Sequence, residues 1–324
     1  MKEIASLMGY RKEIKLLDAT LRDGGLVNDF YFDDEFVKAL YETNVKAGVD
    51  IMEFGYKADK DLFDEDKFGK WKFCKDEHIR EIIGEGDPRL EIAVMADVGR
   101  CNYHEDIIPK DESPIDIIRV ATYLHTIPAA IDMIEDAAKK GYKTTCNIMA
   151  VSTGRESSVI QALEMIGQSP VDVIYIVDSY GSMYPEELQR LCATFTEFAD
   201  KYGKTLGIHA HNNQQLAFAN TIEAIGDGIN WADATYSGMG RGAGNCYMEC
   251  MLGFLNNPKY KIFPAVKFVD KYIRELKESG VVWGYDTQYL FTGLYNQHPR
   301  SAIAYTQKGR TDLTEYYKEV MTED

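Results

Sequence analysis

The sequence predicts an α/β protein, a (β/α)8 TIM barrel with a C-terminal helical extension. Three observations carry that prediction. Eight short apolar or β-branched runs are spread along the chain, amphipathic stretches lie between them, and polar residues gather near the C-terminal ends of the runs. The runs are IKLLDATL (14–21), VDIMEFGY (49–56), LEIAVMAD (90–97), DIIRVAT (116–122), KTTCNIMA (143–150), DVIYIVDSYG (172–181), TLGIHAH (205–211) and WADATYSGMG (231–240). Near-continuous hydrophobicity in such runs marks parallel strands covered on both faces.

The first helix reads from DDEFVKALYETNVKAG (33–48). Asp33 and Asp34 place acid at its start, where the helix dipole favours it, and Gly48 stands where a left-handed C-cap would. IPAAIDMIEDAAKKG, SSVIQALEMIGQ, YPEELQRLCATFTEFADKYG and QLAFANTIEAIGDG repeat the helical period of three and four between later strands. Residues 1–260 are expected to form the barrel. Residues 261–324 form a helical extension over the barrel mouth or an interface, with FPAVKFVDKYIRELKESG as an amphipathic stretch whose apolar face must be covered.

Composition narrows the function. With 36 Lys+Arg against 52 Asp+Glu, the net charge of −16 disfavours attraction to nucleic acid or anionic lipid and points to a small-molecule substrate. Six cysteines without a CxxC pair read as reduced thiols. MKEIASLMGYRKE is too charged for a signal peptide, and no window reaches the roughly 18 apolar residues a membrane span requires, so a soluble, cytoplasmic protein is expected.

His209 and His211 sit one residue apart in strand seven, so both side chains project to the same face. They either hold one ion or each bond a carbonyl. Asp23 beside Arg22, after strand one, adds a carboxylate and a cationic neighbour. A carboxylate with two imidazoles and no nearby thiolate pair suits Mg²⁺, Mn²⁺ or Co²⁺ better than a structural zinc. Polar residues inside apolar parallel strands are costly unless paired or ligating, which singles out further candidates. Asp97 and Asp178 can be catalytic or can cap the following helices. Arg119 in strand four can pair with one of these carboxylates. Asn147 lies in strand five, and Asp18 in strand one reads as an orienter of Arg22 or a His. The glycines of SGMGRGAGNCYMEC do not follow a first βαβ strand, which argues against a dinucleotide loop. They let the backbone pass close to a bound substrate, with the Asn245 amide oxygen as a further ligand and Glu249 as its orienter, an acid, or a surface carboxylate.

LLDATLRDGG, VDSYG, HAHNN with QLAFANTIEAIGDG, and DATYSGMGRGAGN resemble the metal-dependent pyruvate-type aldolases and acyl-lyases. That group includes 4-hydroxy-2-oxovalerate aldolase, hydroxymethylglutaryl-CoA lyase and 2-isopropylmalate synthase, and the likeness runs from Ile14 to Glu249. Within the group IRVAT and GMGRGAGN bring it closest to the 4-hydroxy-2-oxovalerate aldolases. The resemblance implies a (β/α)8 barrel in which Asp23, His209 and His211 bind a divalent metal, with Asn245 as a further ligand, and Arg22 stabilises an enolate oxygen. It also implies that the C-terminal helices close over the barrel mouth and supply Tyr295. An aldehyde dehydrogenase partner is implied as one option, beside a plain homodimer.

One position departs from the family. Where the 4-hydroxy-2-oxovalerate aldolases carry a His three residues after the metal-binding Asp, as the base on the substrate hydroxyl, this chain has Leu26. His125 or His298 can take over the proton, or be structural. The expected chemistry is retro-aldol cleavage of a 2-oxo acid, or the reverse addition, with an altered substrate. The alternatives are a Claisen-type acyl-CoA synthase or lyase and a non-catalytic metal-bound scaffold or regulatory subunit.

Overall fold

The computed structural model describes residues 11–322. Eight parallel strands close into a barrel in chain order: β1 (Lys15–Asp18), β2 (Ile51–Tyr56), β3 (Glu91–Asp97), β4 (Ile117–Thr122), β5 (Lys143–Ile148), β6 (Val173–Asp178), β7 (Thr205–Ala210) and β8 (Trp231–Ala234). Closure is made by β1 against β8, with Leu17 opposite Asp233. The helices are α1 (Thr20–Gly24), α2 (Asp34–Ala47), α3 (Asp76–Ile83), α4 (Tyr103–Asp106), α5 (Ile127–Lys139), α6 (Glu156–Gly167), α7 (Pro185–Tyr202), α8 (Ala217–Gly226) and α9 (Met248–Phe254). No helix among the described residues is long and apolar enough to cross a membrane.

The first helix is capped as its sequence implies. Asp33 accepts from the Phe36 N–H at 2.7 Å, and Gly48 closes the end at φ 77° where a Cβ would overlap the Lys259 carbonyl. The first strand is shorter than expected. It stops at Asp18 because that carboxylate accepts from both the Thr20 N–H, at 2.9 Å, and the Thr20 hydroxyl, turning the chain into α1. Arg22 and Asp23 therefore stand on a helical turn at the barrel mouth.

Alternation along the strands fills the lumen in layers. At the N-terminal end Lys15 and Lys143 both pair with Glu91, and both ammonium groups lie over the Trp231 ring, at 5.2 and 5.8 Å. Above them Leu17, Ile51, Ala93, Ile117, Val173 and Tyr175 form an apolar plug. The next layer is polar and holds Glu53, Arg119, His209 and Asp233, all buried.

The chain after the barrel divides in two. α10 (Ile262–Phe268), a π-helical turn (Val269–Ile273) and α11 (Arg274–Glu278) run on as one rod beside α2, with the Phe268 ring 5.2 Å from Phe36 and 5.1 Å from Tyr236. α12 (Thr287–Leu294), α13 (Arg300–Gln307) and α14 (Leu313–Met321) pack around Tyr289, Ala302, Tyr305, Tyr316 and Val320, together with Ala243 from the glycine-rich loop after β8. Asn213 donates to the Tyr289 carbonyl at 3.3 Å, and Asn296 accepts from Ser152 and Ser182 at 2.9 and 2.8 Å. These bonds seat the last three helices on the loops at the C-terminal mouth.

Candidate metal centre

α1 presents Asp23, β7 presents His209, and His211 follows one residue past β7, bridged to Asn245. Each of the three offers a ligand atom within 4.8 Å of the others, and they are 2, 3 and 6 % exposed, so water does not solvate them freely. The His209 Nδ1–H donates to Asp233 Oδ2 at 3.0 Å, which leaves Nε2 buried with no protein partner. The Asn245 amide donates to Asp23 Oδ2 at 2.6 Å and to the Met239 carbonyl at 3.0 Å, which leaves Oδ1 buried and equally unpartnered. Each orphaned acceptor costs on the order of 1–3 kcal/mol unless something satisfies it. Two such electron-pair donors beside a carboxylate and a second imidazole fit a divalent cation, and the His209–Asp233 contact is the orienting bond that metal-ligating imidazoles use. Gly240 makes the approach possible, since a Cβ there would overlap both Asn245 Nδ2 and Asp23 Oδ2.

A continuous set of ion pairs ties the cluster together beneath. Arg22 bonds Asp23 through Nη1 and Glu53 through Nε, both at 2.8 Å. Arg119 spans the lumen, bonding Glu53 at 2.7 Å and Asp233 at 2.6 Å, and Asp233 returns the path to His209. Three carboxylates and two guanidiniums give the network one net negative charge, so an added dication leaves one positive charge facing the mouth. Burial alone would raise Asp23, but His211, Arg22 and His209 hold it well below the usual carboxylate range. Burial drives His211 down to about 3, against the pull of Asp23, so its imidazole is neutral and its lone pair free at neutral pH. Anionic carboxylate and neutral imidazole are the ligating forms.

Glu53 and Asp233 were not among the residues singled out from sequence, although both stand in apolar strands and carry the same signal as Asp97 or Arg119. The expected partners change accordingly. Arg119 pairs with Glu53 and Asp233, not with Asp97 or Asp178. Asp18 orients neither Arg22 nor a His: with Leu17 pointing into the lumen it faces outward, where Asn44 of α2 donates to it at 2.7 Å. Asp178 accepts from the Ser182 and Met183 N–H groups at 3.0 and 3.3 Å, shaping the loop after β6 rather than capping α7, which opens at Pro185. Asp97 caps no helix either, because α4 begins beyond it after Asn102. Glu249 holds the Ser237 N–H, at 2.9 and 3.1 Å, and so is neither an orienter of Asn245 nor a free surface group. Asn147 accepts from Thr145 at 2.6 Å.

Leu26 lies on a 3-10 turn (Gly25–Val27) directly after α1, half-buried against the core. His125 stacks on Tyr123 with centroids 5.7 Å apart and lines a cavity of about 580 Å³ with Met149 and Arg155, a cavity to which no member of the Asp–His–His cluster contributes. The Tyr295 hydroxyl lies 2.8 Å from that of Tyr317, within the extension. His298 sits differently, with Nε2 3.3 Å from Arg241 Nη1, and Arg241 follows the Gly240 that touches Asp23.

Known proteins resemble the chain in sequence and in fold. A family model described as HMGL-like matches residues 120–271, which include both histidines. Oxaloacetate decarboxylase of Mycobacterium tuberculosis is 25% identical over 245 residues, covering 75% of this chain and 70% of its own. A 4-hydroxy-2-oxovalerate aldolase of Pelotomaculum thermopropionicum is 26% identical over 252 residues, covering 77% and 72%. Among solved structures, the N-terminal domain of a Bacteroides vulgatus chain assigned as an aldolase superposes with a TM-score of 0.76 at 26% identity, over 91% of this chain and 97% of that one. In motif, in fold and in overall sequence the chain resembles the HMGL-like aldolases and lyases, and it is an enzyme of the carbon–carbon lyase class.

Proposed function

We propose that the chain binds one divalent ion, Mn²⁺ or Mg²⁺ with Co²⁺ as a third option, through Asp23, His209, His211 and Asn245, and cleaves or forms a carbon–carbon bond of a small 2-oxo acid. The observation that carries this reading is the pair of orphaned buried acceptors, His209 Nε2 and Asn245 Oδ1, beside Asp23 and His211. An ion held there supplies Lewis acidity to a chelating 2-oxo acid and lowers the energy of its enolate. The chain's own groups do the rest. Asp233 fixes the His209 ring, and Glu53 with Asp23 locks the Arg22 guanidinium beside the cluster. Arg22 Nη2 makes no hydrogen bond among the described residues, and we assign it to the oxygen that gains charge as the bond breaks. The apolar Leu26 argues for a substrate other than 4-hydroxy-2-oxovalerate.

Leu26 also supports a second reading. Decarboxylation of a 3-carboxylated 2-oxo acid reaches the same enolate without removing a hydroxyl proton, and one relative is named an oxaloacetate decarboxylase. Deuterium exchange at the methyl group of pyruvate, followed by NMR with Mn²⁺ present, tests the shared enolisation chemistry. Exchange that depends on Arg22 and on the ion is expected, and none with a loaded site would contradict both readings. Release of pyruvate from oxaloacetate above the uncatalysed rate separates the second from the first.

A further inference from the structure

The loop after β8 carries Arg241 between two glycines with different neighbours. Gly240 lies against Asp23 and Asn245, whereas a Cβ on Gly242 would stand 3.1 Å from the Tyr289 ring of the covering helices. Arg241 thus stands where the metal centre meets the extension. Its Nε is buried without a partner, and among the described residues no carboxylate pairs with Arg241 or with nearby Arg300. In a chain of net charge −16, cations left unpaired beside a catalytic mouth call for a ligand of opposite sign.

His298 sharpens the requirement. The Arg300 N–H, shared with the His298 carbonyl, donates to His298 Nδ1 at 3.1 Å, so that nitrogen carries the lone pair and Nε2 carries the proton of the neutral ring. Burial, then Arg241 and Arg300, push the imidazole down to about 4, which keeps it neutral at pH 7. The Nε2–H of His298 and the Nη1–H of Arg241, 3.3 Å apart, are then two donors side by side, and neither satisfies the other. A single anionic oxygen satisfies both. Tyr180, from the loop after β6, packs edge-on against the His298 ring, with centroids 5.7 Å apart.

We propose that Arg241 and His298 form a subsite for a second anionic group on the substrate, a carboxylate or phosphate carried by the half that leaves as the aldehyde. This rests on the lyase reading above. In the cleavage direction the 4-hydroxyl gives its proton to water at the mouth and the C3–C4 bond breaks. The electron pair of that bond passes into the enolate, which takes a proton at C3 to give pyruvate, and the anionic aldehyde departs from Arg241.

Two matched substrate pairs test the subsite with the full-length Mn²⁺-loaded enzyme, read by pyruvate release. 4-Hydroxy-2-oxoglutarate differs from 4-hydroxy-2-oxovalerate by a carboxylate in place of a methyl. 2-Oxo-3-deoxy-6-phosphogluconate differs from 2-oxo-3-deoxygluconate by a phosphate. The anionic member of one pair is expected to be favoured on the order of tenfold or more in kcat/KM, as charge-assisted hydrogen bonds are worth, and the responding pair identifies the anion. Arg241→Gln brings that ratio close to unity, and Arg241→Lys, which keeps the charge without the planar fork, retains part of it even if the Gln variant folds poorly. Pyruvate exchange with no preference in either pair, or a preference that survives Arg241→Gln, overturns the subsite and leaves the lyase reading intact. Absence of pyruvate exchange overturns both.

Discussion

Asp233→Asn is the perturbation that bears hardest on how this centre is held together. The change is isosteric, so it leaves no cavity, and it removes one negative charge from the network that joins Asp23 to His209. In the wild type Asp233 Oδ2 accepts from Arg119 at 2.6 Å and from His209 Nδ1 at 3.0 Å. An asparagine can set its one acceptor oxygen where Oδ2 stands and its NH₂ where Oδ1 has no hydrogen-bond partner, so the variant keeps the geometry and loses the charge. The His209 Nδ1–H is then held by a neutral amide oxygen in place of a carboxylate, and the dication loses one neutralising charge. Losses of this kind cost roughly 10–100-fold in metal affinity, or about 1.4–2.8 kcal/mol. Arg119 keeps Glu53 as its one carboxylate partner, and weakening a fully buried pair costs on the order of 3 kcal/mol in unfolding free energy. Titration calorimetry with Mn²⁺ and urea denaturation of the metal-free protein read the two terms separately. Mn²⁺ affinity within about threefold of the wild type would show that the Asp233 charge does not tune His209 for a metal, and the ring of ion pairs would then be a stabilising feature only.

Arg22→Ala should lower kcat for pyruvate release by on the order of 10²–10³ while the protein still binds Mn²⁺, and a variant with near-normal turnover would remove Arg22 from the chemistry. Leu26→His places an imidazole where the family resemblance leads one to expect it. It should raise cleavage of 4-hydroxy-2-oxovalerate at least about tenfold, and an unchanged rate would mean that this position does not face the substrate hydroxyl. Asp178 gives a pH signature in stability. Burial raises its carboxyl to about 6 against the bonds from Ser182 and Met183, so the folded state holds the proton more tightly than the unfolded chain. Its contribution is therefore present at low pH and falls away as pH rises from about 4 through about 6, by up to about 3 kcal/mol. Urea titrations of the wild type and Asp178→Asn across that range should diverge by about this amount, and parallel pH profiles would show that the group titrates normally.

How much of this could be read from sequence depends on the range of the interaction. The eight strands were legible because burial on both faces imposes unbroken apolar runs, and the helices between them because one buried stripe imposes the period of three and four. The His209–His211 pair was legible because strand alternation alone puts both on one face. The end of β1 was not, since a local bond from the Thr20 N–H to the Asp18 carboxylate competed with strand continuation. Nor were the partners of Arg119: β4 touches neither β2 nor β8 in the sheet, and its side chain reaches Glu53 and Asp233 across the lumen. A charged residue in an apolar strand announces that it has a partner without saying which. Arg241 beside His298 was hidden for a similar reason, because the two are 57 residues apart and meet only where the extension folds back over the mouth.

The most direct measurement is the stoichiometry of bound Mn²⁺, read by electron paramagnetic resonance of free ion during titration of chelator-stripped protein, side by side with His211→Ala. One ion per chain, absent from the variant while the variant unfolds at a similar urea concentration, is the predicted result. Full binding by His211→Ala, or no binding by the wild type, would contradict the assignment of Asp23, His209 and His211 as a metal centre.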